Sequence, residues 1–227
     1  MTQNYIVTID GPTGAGKSTI GKLLARKQGM IYLDTGAMYR AVAFEVLRKG
    51  IDPDNEADLR EVCAHIDISF KQNGDGQRVY ANGEDVTDAI RTPEISMLAS
   101  RVSAVRCVRE ALVDMQRTIG KRGRIVVDGR DAGTVIFPKA HMKFYLDADL
   151  SVRAERRYKE LVAKKIKVDY NCTFKDVKDR DEGDSGRKIS PLRPAADAVI
   201  LDTTQMTIED VLDAMVHIIE QRAASLP

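Results

Sequence analysis

A chain of 227 residues with 35 Lys and Arg against 34 Asp and Glu has a net charge of +1, which supplies neither a broad basic surface for nucleic acid nor an acidic tail. At 43% hydrophobic and 30% charged residues it has the composition of a chain that folds around its own core, not of a disordered one. No apolar run reaches the roughly 18 to 20 residues needed to cross a bilayer, and the first residues lack a basic region followed by an apolar one, so a cytoplasmic protein with no membrane partner is expected.

Short β-branched apolar runs at 5–9, 30–33, 124–127, 142–146 and 198–201 are the predicted strands, and several are apolar on both faces, as strands of a buried parallel sheet are. Helical spacing occupies 17–28, 37–49 and 208–223; in the last, Val211, Leu212, Met215, Ile218 and Ile219 form one stripe behind a Thr207 N-cap. This alternation predicts an α/β fold with a five-stranded parallel sheet flanked by helices. Between Asp67 and Val86 the chain instead alternates around Asn73-Gly74-Asp75-Gly76 and Asn82-Gly83, which predicts a small antiparallel β insert at about 63–92. Pro93 then opens a helix, and Ile95, Leu98, Val102, Val105, Leu112, Met115 and Ile119 continue its stripe as if it were one long helix. Residues 151–190 hold 12 Lys and Arg and 8 Asp and Glu in 40 positions, half charged against 30% overall, which predicts a solvated, mobile lid. A helix at about 173–184 within it would place Arg180, Asp184 and, if continued, Arg187 on one face, with Gly183 and Gly186 loosening its end.

The chemistry is carried by Gly11-Pro12-Thr13-Gly14-Ala15-Gly16-Lys17-Ser18, followed by Thr19, which fits GxxxxGK[ST] and lies between a predicted strand and a predicted helix. In such a loop the backbone N–H groups and the helix N-terminus surround phosphate oxygens, Lys17 reaches the β- and γ-phosphates and the Ser18 hydroxyl ligates Mg²⁺. The donor is therefore a nucleoside triphosphate. Ile125-Val126-Val127 ending in Asp128 has the form of the second nucleotide-site strand, with a carboxylate for the metal, bound directly or through water. Arg40, Arg109, Arg130, Arg156, Arg157, Arg180 and Arg187 together suit an acceptor that is itself a phosphate, since guanidinium forks neutralise and orient phosphoryl oxygens. An ionised acceptor needs no general base, and His65, His141 and His217 form no triad or metal spacing. Cys63, Cys107 and Cys172, odd in number and without a CxxC pair, fit a reducing compartment.

GPTGAGKST at 11–19, DTGAMYR at 34–40, GRDAGTVIFP at 129–138 and PAADAVILDTT at 194–204 together resemble the bacterial cytidylate kinase family over nearly the whole chain. That resemblance implies a single P-loop kinase domain that uses Mg²⁺ and ATP to phosphorylate CMP or dCMP, with a monophosphate-binding region at 36–110 and the lid at 151–190. It implies that Arg40, Arg130 and Arg187 hold the acceptor phosphate, that Ser100, Arg109 and Asp131 read the cytosine, and that Arg180 and Asp184 meet the sugar. Lys17, Arg130, Arg187, Arg156 and Arg157 are the candidate catalytic cations. Thr35 stands where the family often has Ser and keeps the hydroxyl, whereas Gly183 falls in a lid stretch often richer in arginine. The Asp131 carboxylate can accept from the exocyclic amine of cytosine, where uracil presents an acceptor. A kinase for UMP or AMP would differ around Asp131 rather than in the loop, and a nucleotide switch would bind a triphosphate without an acceptor, although no NKxD motif is present. A monomer whose partners are ATP and CMP or dCMP is expected. Ser100 and Arg109 carry a geometric conflict: nine residues apart, they would face opposite ways on an unbroken helix, at about 100° per residue. If both touch one base, the helix must break between Val102 and Cys107.

Overall fold

A computed structural model describes residues 4–73 and 76–224. Strands β1 (Ile6–Asp10), β2 (Ile31–Asp34), β6 (Ile125–Asp128), β7 (Met142–Asp147) and β8 (Val199–Asp202) form the parallel sheet, in the order β2-β6-β1-β7-β8. The central strands are buried through Val7, Ile9, Ile125, Val126, Val127, Phe144 and Leu146, the near-continuous apolar runs that sandwiched parallel strands require. Helix α1 (Lys17–Lys27) supplies Ile20 and Leu24 to one core cluster with Val7, Ile9, Met142 and Phe144, and α8 (Ile208–Ala224) supplies Val211, Met215 and Ile219. Each such side chain contributes roughly 1.5 to 3 kcal/mol when fully buried. The Thr207 hydroxyl accepts from Asp210 N at 3.1 Å, the cap expected for α8.

The chain divides into two compact units, one made of residues up to Leu33 and from Gly120 on, the other of Asp34–Ile119. The second holds α2 (Thr35–Arg48), α3 (Glu56–His65), the antiparallel strands β3 (Ile68–Asn73), β4 (Gly76–Ala81) and β5 (Glu84–Asp85), a 3₁₀ turn at Ala89–Arg91, α4 (Pro93–Val102) and all but the last residue of α5 (Arg106–Gly120). Within it α2 packs against α3, α4 and the 3₁₀ turn. The β insert takes the register Ile68↔Ala81 and Phe70↔Val79. Gly74 and Asp75, part of its predicted turn, lie outside the described residues. Helix α2 starts at Thr35, two residues before the predicted start, because the Asp34 carboxylate caps it by accepting from Ala37 N at 2.8 Å.

One expectation from periodicity is overturned: the continuous stripe over 93–119 is two helices, not one, interrupted at Ser103, Ala104 and Val105. The last turn of α4 closes with tightened bonds, Ala104 N to Arg101 O at 3.0 Å and Val105 N to Val102 O at 3.1 Å. The Ser103 hydroxyl donates to Ser100 O at 2.9 Å, and the Arg109 guanidinium donates to Ser103 O at 3.1 Å. Carbonyls released by the break are thus taken up by side chains, which is how a helix ends without Gly or Pro.

Candidate active site

Strand β1 runs into the phosphate loop at Gly11, whose φ of 146° and whose missing side chain both matter: a Cβ there would lie 2.0 Å from Leu146 O. At Gly14 a Cβ would lie 2.5 Å from Arg153 O, so the loop is pressed onto the first turn of α6 (Leu150–Ala163). Gly16 precedes α1 with no side-chain cap, and the first turn has no acidic residue, leaving its N–H groups and the helix dipole for an anion. Lys17 is buried and donates to Pro12 O at 2.6 Å. Burial, with Arg130 pushing the same way, brings its ammonium down to about 7, and an anionic ligand would restore the charge.

Two strand-end carboxylates flank the loop. Asp128 closes β6, is buried, and its Oδ2 accepts from the Tyr32 hydroxyl at 2.9 Å. Asp10 closes β1, and its oxygens accept from Ala132 N at 2.8 Å and Gly133 N at 2.7 Å. Burial pushes the Asp10 carboxyl up to about 7 against those two amide bonds. Among the described residues no group of three or more His, Cys, Asp or Glu could hold a metal by itself. The Ser18 hydroxyl and Asp128 offer the oxygen donors that Mg²⁺ takes when phosphates and water complete its shell, so the donor set fits.

Helices α6 and α7 (Tyr170–Ser185) reach the same loop through charge. Asp181 accepts from Thr13 N at 2.9 Å and is paired with Arg153, which also donates to Thr13 O at 3.0 Å and Ala148 O at 2.8 Å. Arg130 donates to the Thr13 hydroxyl at 3.0 Å and to Asp184 at 2.8 Å, and Arg187 donates to the other oxygen of Asp184 at 2.5 Å. Burial alone would raise the Asp184 carboxyl, but Arg130, Arg187 and Arg180 hold it below the ordinary carboxylate range. Helix α7 stops at Ser185 with Gly186 as its cap, so Arg187 meets Asp184 from beyond the helix end. Arg156 is turned to Thr203, at 3.0 Å from its hydroxyl and 2.6 Å from its carbonyl, and Arg157 pairs with Glu160 at 2.8 Å. The α6 residue that bonds the loop is Arg153.

In the second unit, Arg40 pairs with Asp34 at 3.1 Å, and Thr35 is buried in the first turn of α2. The Arg109 guanidinium, also buried, lies over the Tyr39 ring at 5.5 Å, while Ser100 sits in α4 just before the break. The break is the geometric condition for Ser100 and Arg109 to face one ligand. Sequence reasoning missed Asp10, Tyr32, Arg153 and Asp181. Only Asp10 left a trace, as the polar end of an apolar run directly before the loop motif.

A glycine-rich loop that opens a helix from a central parallel strand, with a second strand-end carboxylate and arginines turned to the loop, defines a P-loop kinase. Residues 7–221 match the family Cytidylate kinase. A protein named cytidylate kinase from Geobacter sulfurreducens is 52% identical over 99% of this chain and 97% of its own. One of the same name from Bacillus subtilis is 44% identical over 98% and 100%. The chain belongs to the cytidylate kinase family and is a phosphate-transferring enzyme. Among solved structures, a shikimate kinase from Bacteroides thetaiotaomicron shares the fold with a TM-score of 0.50 at 14% identity, over 95% of this chain and 98% of that one. An uncharacterized protein from Eubacterium ventriosum does so with a TM-score of 0.52 at 11% identity, over 96% and 99%.

Proposed function

We propose that the protein transfers the γ-phosphoryl group of ATP to the phosphate of CMP and dCMP, giving ADP with CDP or dCDP. The observation that carries this, beside family membership, is the position of Arg130: one guanidinium nitrogen is on Thr13 of the donor loop and another is on Asp184, which Arg187 shares. A cation bonded to the donor loop and joined to a second arginine through a shared carboxylate suits a phosphoryl group passing between two anions. Lys17 and the loop amides hold the β- and γ-phosphates. Arg40, Arg130 and Arg187 hold the acceptor phosphate, Arg180 and Asp184 meet the sugar, Ser100, Arg109 and Asp131 read the cytosine, and Thr35 also binds the acceptor. Arg156 and Arg157 add positive charge on α6. Ser18 and Asp128 would hold Mg²⁺, which would supply charge neutralisation at the triphosphate.

The acceptor phosphate attacks in line as an ionised oxygen, so the protein's task is to position and to stabilise charge rather than to remove a proton. The enzyme is proposed to act in the cytoplasm as a monomer. Light scattering at assay concentration tests the monomer.

The activity is tested by coupled ADP release with CMP, dCMP, UMP and AMP, for the wild type and Lys17→Ala. CMP and dCMP should turn over, UMP and AMP poorly. The variant should lose roughly 100-fold or more while keeping its circular dichroism, because Lys17 neutralises charge that grows in the transition state. Slow hydrolysis with all four acceptors would mark a nucleotide switch, and a preference for UMP or AMP would reassign the base pocket.

A further inference from the structure

Asp10 belongs neither to the GxxxxGK[ST] loop nor to the residues proposed to hold the acceptor, yet it touches the backbone of the turn that follows two of them. It is 3% exposed, and both of its oxygens are occupied by backbone amides, Oδ1 by Ala132 N at 2.8 Å and Oδ2 by Gly133 N at 2.7 Å. Those amides open the five-residue π turn Ala132–Ile136, directly after Arg130 and Asp131. The turn is wound on Asp131, whose carbonyl accepts from Val135 N at 2.8 Å and Ile136 N at 3.2 Å. It also packs closely on side chains of β1: a Cβ on Gly133 would be 2.9 Å from the Thr8 hydroxyl and 3.2 Å from Asp10 Oδ2. At the far end, buried Lys143 donates to Pro138 O at 2.6 Å.

We infer that Asp10 is a positioning residue for the acceptor base: by clamping the Ala132 and Gly133 amides it fixes where Asp131 presents its carboxylate and Arg130 its guanidinium, relative to the donor loop that begins one residue later at Gly11. A carboxylate suits this task because both of its oxygens accept, and hydrogen bonds from two amides to one anion are short and directional. An asparagine in the same place can accept with one oxygen only and would turn an N–H₂ group towards the other amide. A residue kept only to fill the core would be apolar, since burying a carboxylate near the like charge of Asp131 is unfavourable. The clamp governs selectivity only if Asp131 reads the base, as proposed above.

The test is steady-state kinetics at pH 8 on the wild type, Asp10→Asn, Gly133→Ala and Asp131→Asn, with CMP and UMP at saturating ATP and with ATP at saturating CMP. Amide exchange of Ala132 and Gly133 is followed in parallel. Asp10→Asn should lower kcat/KM for CMP about tenfold, the size of one lost charge-assisted hydrogen bond, and should move the CMP-to-UMP ratio towards that of Asp131→Asn. KM for ATP should stay within about threefold, as an interaction confined to the acceptor side requires, and the two amides should lose protection. Gly133→Ala, which pushes the turn off β1 from the opposite side, should shift the ratio the same way, and it decides the matter if Asp10→Asn does not fold. A narrowed ratio in Asp131→Asn but an unchanged one in both other variants, or a KM for ATP raised as much as that for CMP, would leave Asp10 a merely structural residue and overturn the inference. An unchanged ratio in Asp131→Asn would instead remove the base-reading role of Asp131, and the clamp's selectivity role with it.

Discussion

Asp10 and Lys17 are buried ionisable groups held seven residues apart in sequence, and burial moves both towards neutrality, each to about 7. For Asp10 the rise is from the ordinary 3.8, with like-charged Asp131 adding to it and Lys17 opposing it. The sign of its effect on stability follows from proton binding. Between about pH 4 and pH 7 the folded protein keeps a proton on Asp10 that the unfolded chain has released, so this group favours the fold more as pH falls through that window. Its cost is complete above about pH 7. Asp10→Asn removes the titration. Its melting temperature relative to wild type should therefore be several degrees more favourable at pH 8 than at pH 5, and a difference independent of pH would show that Asp10 does not titrate in this range. The phosphate loop was legible because its residues are contiguous and each has a fixed task. Arg153 and Asp181 were not, because their meeting at Thr13 depends on where α6 and α7 pass over the loop, 140 and 168 residues further along the chain.

Among the elements, strands were legible wherever a run was apolar on both faces, and their ends shifted by only a residue or so. The break between α4 and α5 was invisible to the apolar stripe, because Val102 and Val105 keep helical spacing through it. Its cause is polar and partly distant, with the Arg109 side chain returning to Ser103 O. The charged stretch at 151–190, which holds α6 and α7, was expected to be a solvated, mobile lid. In the structure two carboxylates of α7 are already paired with arginines from outside the helix: Asp181 with Arg153, and Asp184 with Arg130 and Arg187. Of its side chains only Thr173, Val177 and Asp184 are buried, so its hold on the loop is electrostatic more than hydrophobic. Exchange at 170–187 should therefore slow with CMP plus a non-hydrolysable ATP analogue, which supplies new anions to the same guanidiniums. Exchange that is insensitive to these ligands would make α7 a fixed part of the fold and end its role as a lid.

Over the whole molecule, a net charge of +1 gives no general attraction for nucleotides, so binding two polyanions rests on local arginines and amides. The division into two compact units lets those local contributions be separated. A ligand that binds only the folded form stabilises it by about 2.7 kcal/mol at 100 times its Kd, and slows exchange first where it makes its contacts. The ATP analogue alone should protect the loop at 11–19, leaving β3 and β4 unchanged. CMP alone should protect 34–40 and 100–109 in the second unit, where Thr35, Arg40, Ser100 and Arg109 lie, as well as the turn at 130–133. Protection by CMP confined to 130–133 would withdraw the acceptor roles of all four second-unit residues at once, since none could contact the nucleotide without slowing the backbone that carries it. Protection at 34–40 without 100–109 would keep Arg40 on the phosphate but remove Ser100 and Arg109 from the base, and the helix break would then be explained by Arg109 serving Ser103 alone.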